Sequence, residues 1–478
     1  MANLSGVLKS IRDIMRQDKG LNGDAQRIEQ LGWMLFLKIF SDNDLEREMM
    51  NEKYKSPIPR EFHWIKEKGN WAGDDEGMTG DELLAFVDEK LFPALRNIDI
   101  SVGNGRALIV REVFMGNNNY MKSGINIRKV LNKLNELDFN IAKERHAFGE
   151  LYEGILKDLQ NAGKSGEYYT PRAITNFITG IISPKLGEKI LDPSCGTGGY
   201  LTSAIEHLKK QANSVEERKS IQDNVVGWEY KPLPYLLAIT NLILHDIEIP
   251  KISFRDSLEQ PLSTYKGKDR VEIILANPPF GSVVANNNEK NFPQSFRTKE
   301  SADLFLVLMI HLLNDGGRAG IVLPDGSLTG EGVKQRVREK LLTECNLHTI
   351  IRLPNSVFQP YATVATNLLF FDKGKPTKEV WYYEHRLPEG QKSYSKTKPI
   401  RLEEFKPIKE WWNKREENEV AWKVDIKTII EKGYDLDIKN PNKQEEEHEY
   451  TSAELIQMLE KSMMNSNELL NQLKAELK

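Results

Sequence analysis

The chain has 478 residues, with 66 Lys and Arg against 70 Asp and Glu, for a formal charge of −4. That length accommodates two or three domains with a sizeable core, and the charge balance excludes a globally basic nucleic-acid binder, leaving DNA contact to a local patch or to a partner. Two cysteines, Cys195 and Cys345, offer no disulfide framework and fit a reducing cytoplasm, while the longest N-terminal apolar run, 31–39, is broken by Lys38 and falls far short of a membrane span.

Residues 1–147 read as a helical N-terminal domain, with Asp24 expected to cap a helix that carries Ile28, Leu31, Leu35 and Ile39 on one face. A polar loop is expected over 56–80. From 148 to 385 strands and helices alternate, which predicts an α/β domain with a mainly parallel, Rossmann-like sheet covered on both faces. Gly163-Lys164-Ser165 invites a phosphate-loop reading, but Asp158 stands where the first glycine belongs and no strand precedes it.

Four strand ends carry the chemistry. Lys189-Ile190-Leu191 leads into Asp192-Pro193-Ser194-Cys195-Gly196-Thr197-Gly198-Gly199, followed by an amphipathic stretch: a strand, a glycine-rich turn and a helix. An acid directly before such a turn suits a cofactor with a cationic amino-acid end, such as S-adenosylmethionine. Val225–Glu229 is a second strand ending in an acid, placed to hold ribose hydroxyls; the polar stretch 209–224 lengthens the connection by a longer helix and loop. A third strand, 252–257, ends in Asp256 and Ser257, beside the expected adenine ring of the cofactor. The fourth, Val271–Ala276, stops at Asn277-Pro278-Pro279-Phe280, because neither proline can continue a ladder. This stiff turn presents an amide, backbone carbonyls and an aromatic ring, a set suited to a planar base with an exocyclic amine; adenine is the leading candidate.

Downstream, 281–298 is a long polar loop beside that turn, functional or mobile rather than core. A helix is expected over 301–313, a strand over 318–324, a helix over 333–342 and a strand over 348–353, with 366–371 its antiparallel neighbour. Residues 386–450 are expected as a peripheral extension. The segment 451–478 is expected as a C-terminal partner-docking helix, with Thr451 and Glu454 in capping-box spacing and an apolar stripe of Leu455, Met458, Leu459, Leu469, Leu473 and Leu477.

The glycine turn, the acids after the second and third strands and Asn-Pro-Pro-Phe after the fourth resemble an amino-group DNA methyltransferase. Gly166-Glu167-Tyr168-Tyr169-Thr170-Pro171-Arg172 upstream resembles that group's segment closing over the methionine end of the cofactor. Together these motifs are similar to the modification subunit of type I restriction-modification systems, and the likeness extends into the N-terminal region (26–40) and the tail (433–441).

The resemblance implies a site-specific, S-adenosylmethionine-dependent DNA methyltransferase of the adenine-N6 type. Glu167, Tyr168, Tyr169, Thr170, Pro171, Arg172, Asp192, Ser194, Cys195, Gly196, Thr197, Gly198, Gly199, Glu229, Asp256 and Ser257 would bind the cofactor. Asn277, Pro278, Pro279 and Phe280 would form the catalytic turn, with Phe358 a second ring against a flipped base. The chemistry needs no thiol, so Cys195 is expected as a small packing residue within its turn, and no clustered metal ligands are seen. Implied partners are double-stranded DNA, a specificity subunit bound by two modification subunits, and a restriction/translocase subunit. A methyltransferase of another amine, such as a protein glutamine or an RNA base, and a non-catalytic cofactor-binding scaffold remain alternatives.

Overall fold

The computed structural model describes residues 4–67, 70–73, 77–101, 105–139, 148–149, 152–156, 169–359, 364–395, 397–442 and 452–476. Nine strands form one sheet: β1 (Ile190–Asp192), β2 (Val225–Glu229), β3 (Lys251–Phe254), β4 (Val271–Ala276), β5 (Leu313–Pro324), β6 (Cys345–Arg352), β7 (Thr366–Lys373), β8 (Glu379–Glu384) and β9 (Ala421–Asp425). Their order is β3-β2-β1-β4-β5-β7-β6-β8-β9. The five strands β1–β5 are parallel, β7 runs antiparallel between β5 and β6, β8 is parallel to β6, and β9 closes the edge antiparallel to β8.

The period-2 geometry of strands divides the sheet's side chains between two cores. Ile190, Ile273, Leu275, Val322 and Ile351 face one core; Leu191, Ile274, Ala276, Ile321 and Ile350 face the other. The first is completed by the helices Arg172–Ile182, Gly199–Lys209 and Pro232–Leu244. The second is completed by Ser301–Leu312 and Val333–Glu344. Both central helices, 232–244 and 301–312, are buried almost all round, so apolar residues occupy every face of them.

The N-terminal region folds as helices whose core is continuous with the first layer. Its long helix Asp24–Met50 differs from expectation. Gly23, with φ of 94°, is the N-cap, and Asp24 is the first helical residue, paired with Arg27. Burial runs round the whole circumference from Gln30 to Asp42 instead of along one face: Gly32 lets one side approach Leu236 and Leu237, while Trp33 packs on Phe92 and Phe114. The 56–80 region is also more than a polar loop: Ile58, Trp64 and Trp71 are buried, and Trp71 stacks on Phe86.

The stretch 209–224 holds a separate helix, Val215–Asn224, started by a Ser214–Glu217 capping box. The span 386–439 supplies β9 and buries Phe405, Ile408 and Trp411 in the first core. Residues 440–478 form a second compact unit, in which Ser452–Glu476 is one helix; Thr451 lies outside the described residues. No helix among the described residues is long and apolar enough to cross a membrane.

Candidate active site

In this sheet the chain leaves β1 toward β2 on one side and β4 toward β5 on the other. A crevice therefore opens at the carboxyl ends of the adjacent strands β1 and β4, where open α/β sheets bind ligands. Asp192 ends β1, and Asn277 follows the last residue of β4. A cleft of about 740 Å³, partly open to solvent, lies there. It is walled by Thr170, residues 192–197, Gly199, Tyr200, residues 228–231, Arg255, Ser257, Asn277, Pro279, Ser282 and Phe305.

The glycine turn is shaped by backbone bonds to β2. Cys195 N–H donates to the Trp228 carbonyl at 3.1 Å, and Gly196 N–H to Glu229 Oε2 at 3.0 Å. Gly196 and Gly198 adopt φ of 52° and 79°, the left-handed region that glycine enters without strain. Cys195 packs on Gly227, where an added Cβ would stand 3.0 Å from its Sγ. Burial holds the Cys195 thiol protonated, which suits a packing residue.

Asp192 and Glu229 are buried carboxylates. Asp192 Oδ1 accepts the Ser194 N–H at 3.0 Å, and no cation pairs with it among the described residues. Burial, reinforced by the nearby Glu229 charge, raises its pKa to about 8, against three hydrogen bonds' worth of partial relief at Glu229, whose pKa burial raises to about 7. Glu229 Oε1 accepts from Tyr230 and Lys231 N–H groups at 2.8 and 2.7 Å. Two buried acids with an uncompensated charge demand describe a site fitted to a cationic ligand.

Asn277 is anchored through its nitrogen. Nδ2 donates to Thr170 Oγ1 at 2.9 Å, leaving Oδ1 buried and without a partner among the described residues. Ser194 Oγ and Tyr200 OH are likewise buried and unpartnered. The cleft thus holds orphaned polar atoms, acids and aromatic surface, the donor and acceptor set that an amino-acid-bearing nucleoside requires. The residues fit S-adenosylmethionine.

Other residues expected at the site stand apart from this cleft. Tyr169, Pro171 and Arg172 line a second opening with Ser356, Val357 and Gln359. Arg172 is turned toward Glu153, with Nε to Oε2 at 2.5 Å. Gly198 backs onto Ala238 and Leu242 behind the turn. Asp256 is beside the cleft, its Oδ1 accepting the Leu258 N–H at 2.9 Å and its Oδ2 the Asn288 amide at 2.8 Å. Pro278 is buried, and the Pro279 carbonyl accepts the Ser301 hydroxyl at 3.0 Å. Phe280 keeps a partly exposed ring, edge-on to a buried Phe358 with centroids 6.0 Å apart. Glu167 and Tyr168 lie outside the described residues.

Several cleft residues escaped the sequence reading: Pro193, Tyr200, Trp228, Tyr230, Lys231, Arg255, Ser282 and Phe305. The aromatic residues flanking Glu229 were the available signal. Trp228 stacks on Tyr265, at 5.8 Å and 19°, and the Arg255 guanidinium lies against both rings, 4.5 Å from Trp228 and 5.8 Å from Tyr265. The loop 281–298 is packed and not free. Val284 and Phe292 are buried, and Asn291 Nδ2 donates to the carbonyls of Leu258 and Glu259 at 2.9 and 2.7 Å.

Comparison with known proteins agrees with this architecture. The N-6 DNA Methylase family model matches residues 143–450, and the HsdM N-terminal domain model matches residues 4–134. The chain is 49% identical to the type I restriction enzyme EcoEI methylase subunit of Escherichia coli, over 99% of this chain and 97% of that protein. It is 29% identical to the EcoKI methylase subunit of E. coli K12, over 82% of this chain and 76% of the relative. A modification subunit from Vibrio vulnificus superposes with a TM-score of 0.81 at 42% identity, covering 92% of this chain and 97% of the other. A chain from a structure of type I restriction-modification complex assembly and conformational transition superposes with a TM-score of 0.83 at 32% identity, covering 100% and 98%. With its sheet, its paired acids and its Asn-Pro-Pro-Phe turn, the chain belongs to the S-adenosylmethionine-dependent N-6 DNA methylases, as a type I restriction enzyme methylase subunit.

Proposed function

We propose that Asn277 is the centre of an adenine-N6 methyl transfer. The carrying observation is its anchored amide: Nδ2 donates to Thr170 Oγ1, while Oδ1 is buried on the cleft and without a partner among the described residues. An exocyclic amine is a poor nucleophile because its lone pair delocalises into the ring. Acceptance of its two protons by Asn277 Oδ1 and the Pro278 carbonyl favours a more tetrahedral nitrogen and aims the lone pair. Phe280 stacks on the base, with Phe358 supporting that ring from its edge. Bound S-adenosylmethionine supplies an electrophilic methyl group on a sulfonium and needs little activation. The protein's contribution is in-line positioning, and the amine proton leaves only after transfer.

The turn 194–197, with Gly199 and Thr170 on the same cleft wall, forms the methionine end of the cofactor site, with Asp192 as partner of the ammonium group. Glu229 Oε2 accepts one backbone N–H and retains a lone pair for a ribose hydroxyl. Asp256 and Ser257 bound the adenine end. The target adenine is unreachable within a duplex and must be flipped out. The chain acts on double-stranded DNA in the cytoplasm, as one of two modification subunits on a separate specificity subunit. A restriction/translocase subunit joins in the full complex. The naming of its relatives as methylase subunits of type I restriction enzymes supports this assignment.

The test is nucleoside mass spectrometry of DNA from cells expressing the chain with its specificity subunit, beside Asn277→Ala. N6-methyladenine is expected only with the intact chain. Equal methylation by Asn277→Ala, or no modified base from an assembled complex, overturns the assignment.

A further inference from the structure

A partly buried network stands behind the turn 195–199. Arg172, first residue of its helix, meets Glu153 through two parallel contacts, Nε to Oε2 at 2.5 Å and Nη2 to Oε1 at 2.7 Å. Its remaining nitrogen, Nη1, is buried without a hydrogen-bond partner among the described residues. A Cβ added at Gly199 would stand 2.1 Å from that nitrogen. The absent side chain at 199 therefore makes room for the guanidinium, which lies against the start of the helix that follows the turn. Glu153 Oε1 also accepts from Asn241 Nδ2 at 3.3 Å, and the same amide donates to the Thr197 carbonyl at 3.2 Å. Asn241 is fully buried. Two residues before Arg172, Thr170 holds the amide of Asn277.

One carboxylate thus joins the glycine turn, the start of the helix 172–182 and the buried helix 232–244. Glu153 is itself no part of the cleft wall. A bidentate Arg–carboxylate pair admits essentially one geometry, so it fixes whatever it touches. A turn that must be ordered by its ligand charges that ordering against affinity; a turn held in advance does not.

We propose that Glu153 is a positioning residue of the cofactor site. It holds Arg172 against Gly199, and Asn241 against Thr197, so that the turn 195–199 keeps its ligand-ready shape before the cofactor arrives. The inference rests on the reading of the cleft as the S-adenosylmethionine site.

Titration calorimetry of the full-length chain with S-adenosylhomocysteine tests it, using wild type, Glu153→Gln, Arg172→Gln and the double variant. Steady-state methylation by the complex with the specificity subunit accompanies it. Glu153→Gln is expected to weaken S-adenosylhomocysteine binding about tenfold and to raise KM for the cofactor by a similar factor, with kcat within about threefold of wild type. Glu153→Asp, which keeps the carboxylate, should recover part of the affinity. Because Glu153 acts through Arg172, the double variant should bind about as weakly as Arg172→Gln alone.

Unchanged affinity in Glu153→Gln overturns the proposal, as do losses that multiply in the double variant or a fall in kcat at constant KM. Should Glu153→Gln fail to fold, Asn241→Ala removes the tie to Thr197 and keeps the ion pair; unchanged affinity there also overturns it. A wild-type chain that binds no S-adenosylhomocysteine removes the cofactor-site reading and this inference together, whereas wild-type binding with an indifferent Glu153→Gln removes the inference alone.

Discussion

At the scale of single residues, the site depends on what each polar atom has already spent its hydrogen bonds on. Asn277 has two amide protons and one oxygen, and Thr170 engages a proton. That leaves the oxygen as the functional end. Thr170→Val is expected to lower kcat about five- to tenfold, the value of a lost hydrogen bond of roughly 1 kcal/mol. Steady-state kinetics with calorimetry checks this; an unchanged kcat means that the turn, and not Thr170, orients the amide.

Asp192 adds a pH dependence. Burial raises its pKa to about 8 in the cofactor-free chain, so at pH 6 it is largely protonated. A cationic ammonium needs the carboxylate, and S-adenosylhomocysteine affinity is therefore expected to rise between about pH 6 and 8, by up to tenfold per pH unit, and to level off above. The stability of the free chain has the opposite slope. The folded pKa lies above the unfolded one, so the folded chain retains a proton that the unfolded chain has lost, and stability falls as pH rises through this window. Calorimetry across pH with Asp192→Asn as control decides it: an equally steep affinity profile in the variant assigns the proton elsewhere.

At the scale of elements, the helix Asp24–Met50 shows how a buried ion pair is tolerated. Lys38 Nζ and Asp42 Oδ2 are 2.6 Å apart, with side chains 1% and 12% exposed. Burial lowers the lysine pKa and raises the aspartate pKa, and each partner opposes that shift in the other. Lys38→Met leaves a buried carboxylate alone and is expected to destabilise the chain by about 3–5 kcal/mol. Denaturant titration measures this, and a loss under about 1 kcal/mol would mean that Asp42 simply takes up a proton.

The same scale explains what could be read in advance. The ends of β1 and β4 were visible because apolar runs met residues that cannot extend a ladder: Asp192-Pro193 and Asn277-Pro278-Pro279. β2 and β4 have the bounds expected of them, Val225–Glu229 and Val271–Ala276. The full burial of helix 24–50 was hidden, since Gln30, Lys38, Ser41 and Asp42 make the pattern look one-sided. The partner of Arg172 was hidden too. Glu153 is 19 residues away in a stretch with no motif, and only folding brings it under the glycine turn.

At the scale of the whole molecule, the chain divides into a unit over residues 1–439 and a second over 440–478. Both apolar cores, all nine strands and the cleft belong to the first. The helix Ser452–Glu476 exposes Ile456, Leu459, Met463 and Leu470, each at least 49% accessible. Their spacing of three, four and seven is a coiled-coil seam, whose fourth core place is the polar Ser466. Of the expected stripe, Leu459 lies on this seam, whose spacing continues to Leu473 and Leu477; Leu469 is exposed but off it, and Leu477, with the side chains of Leu455, Met458 and Leu473, lies outside the described residues. A surface of this kind is costly to leave in water and gains by burial against partner helices, at roughly 25 cal/mol per Å². Ending the chain at residue 439 is therefore expected to shift the unfolding midpoint by no more than about 3 °C, since both apolar cores are built from residues of the first unit. S-adenosylhomocysteine binding should survive within about twofold, as no cleft residue is removed. Co-purification with the specificity subunit should be lost. Size-exclusion chromatography of the co-expressed pair reads the outcome. A truncated chain that still co-elutes would place the docking surface on the first unit, and one that unfolds would show that the terminal helix serves this chain's own core.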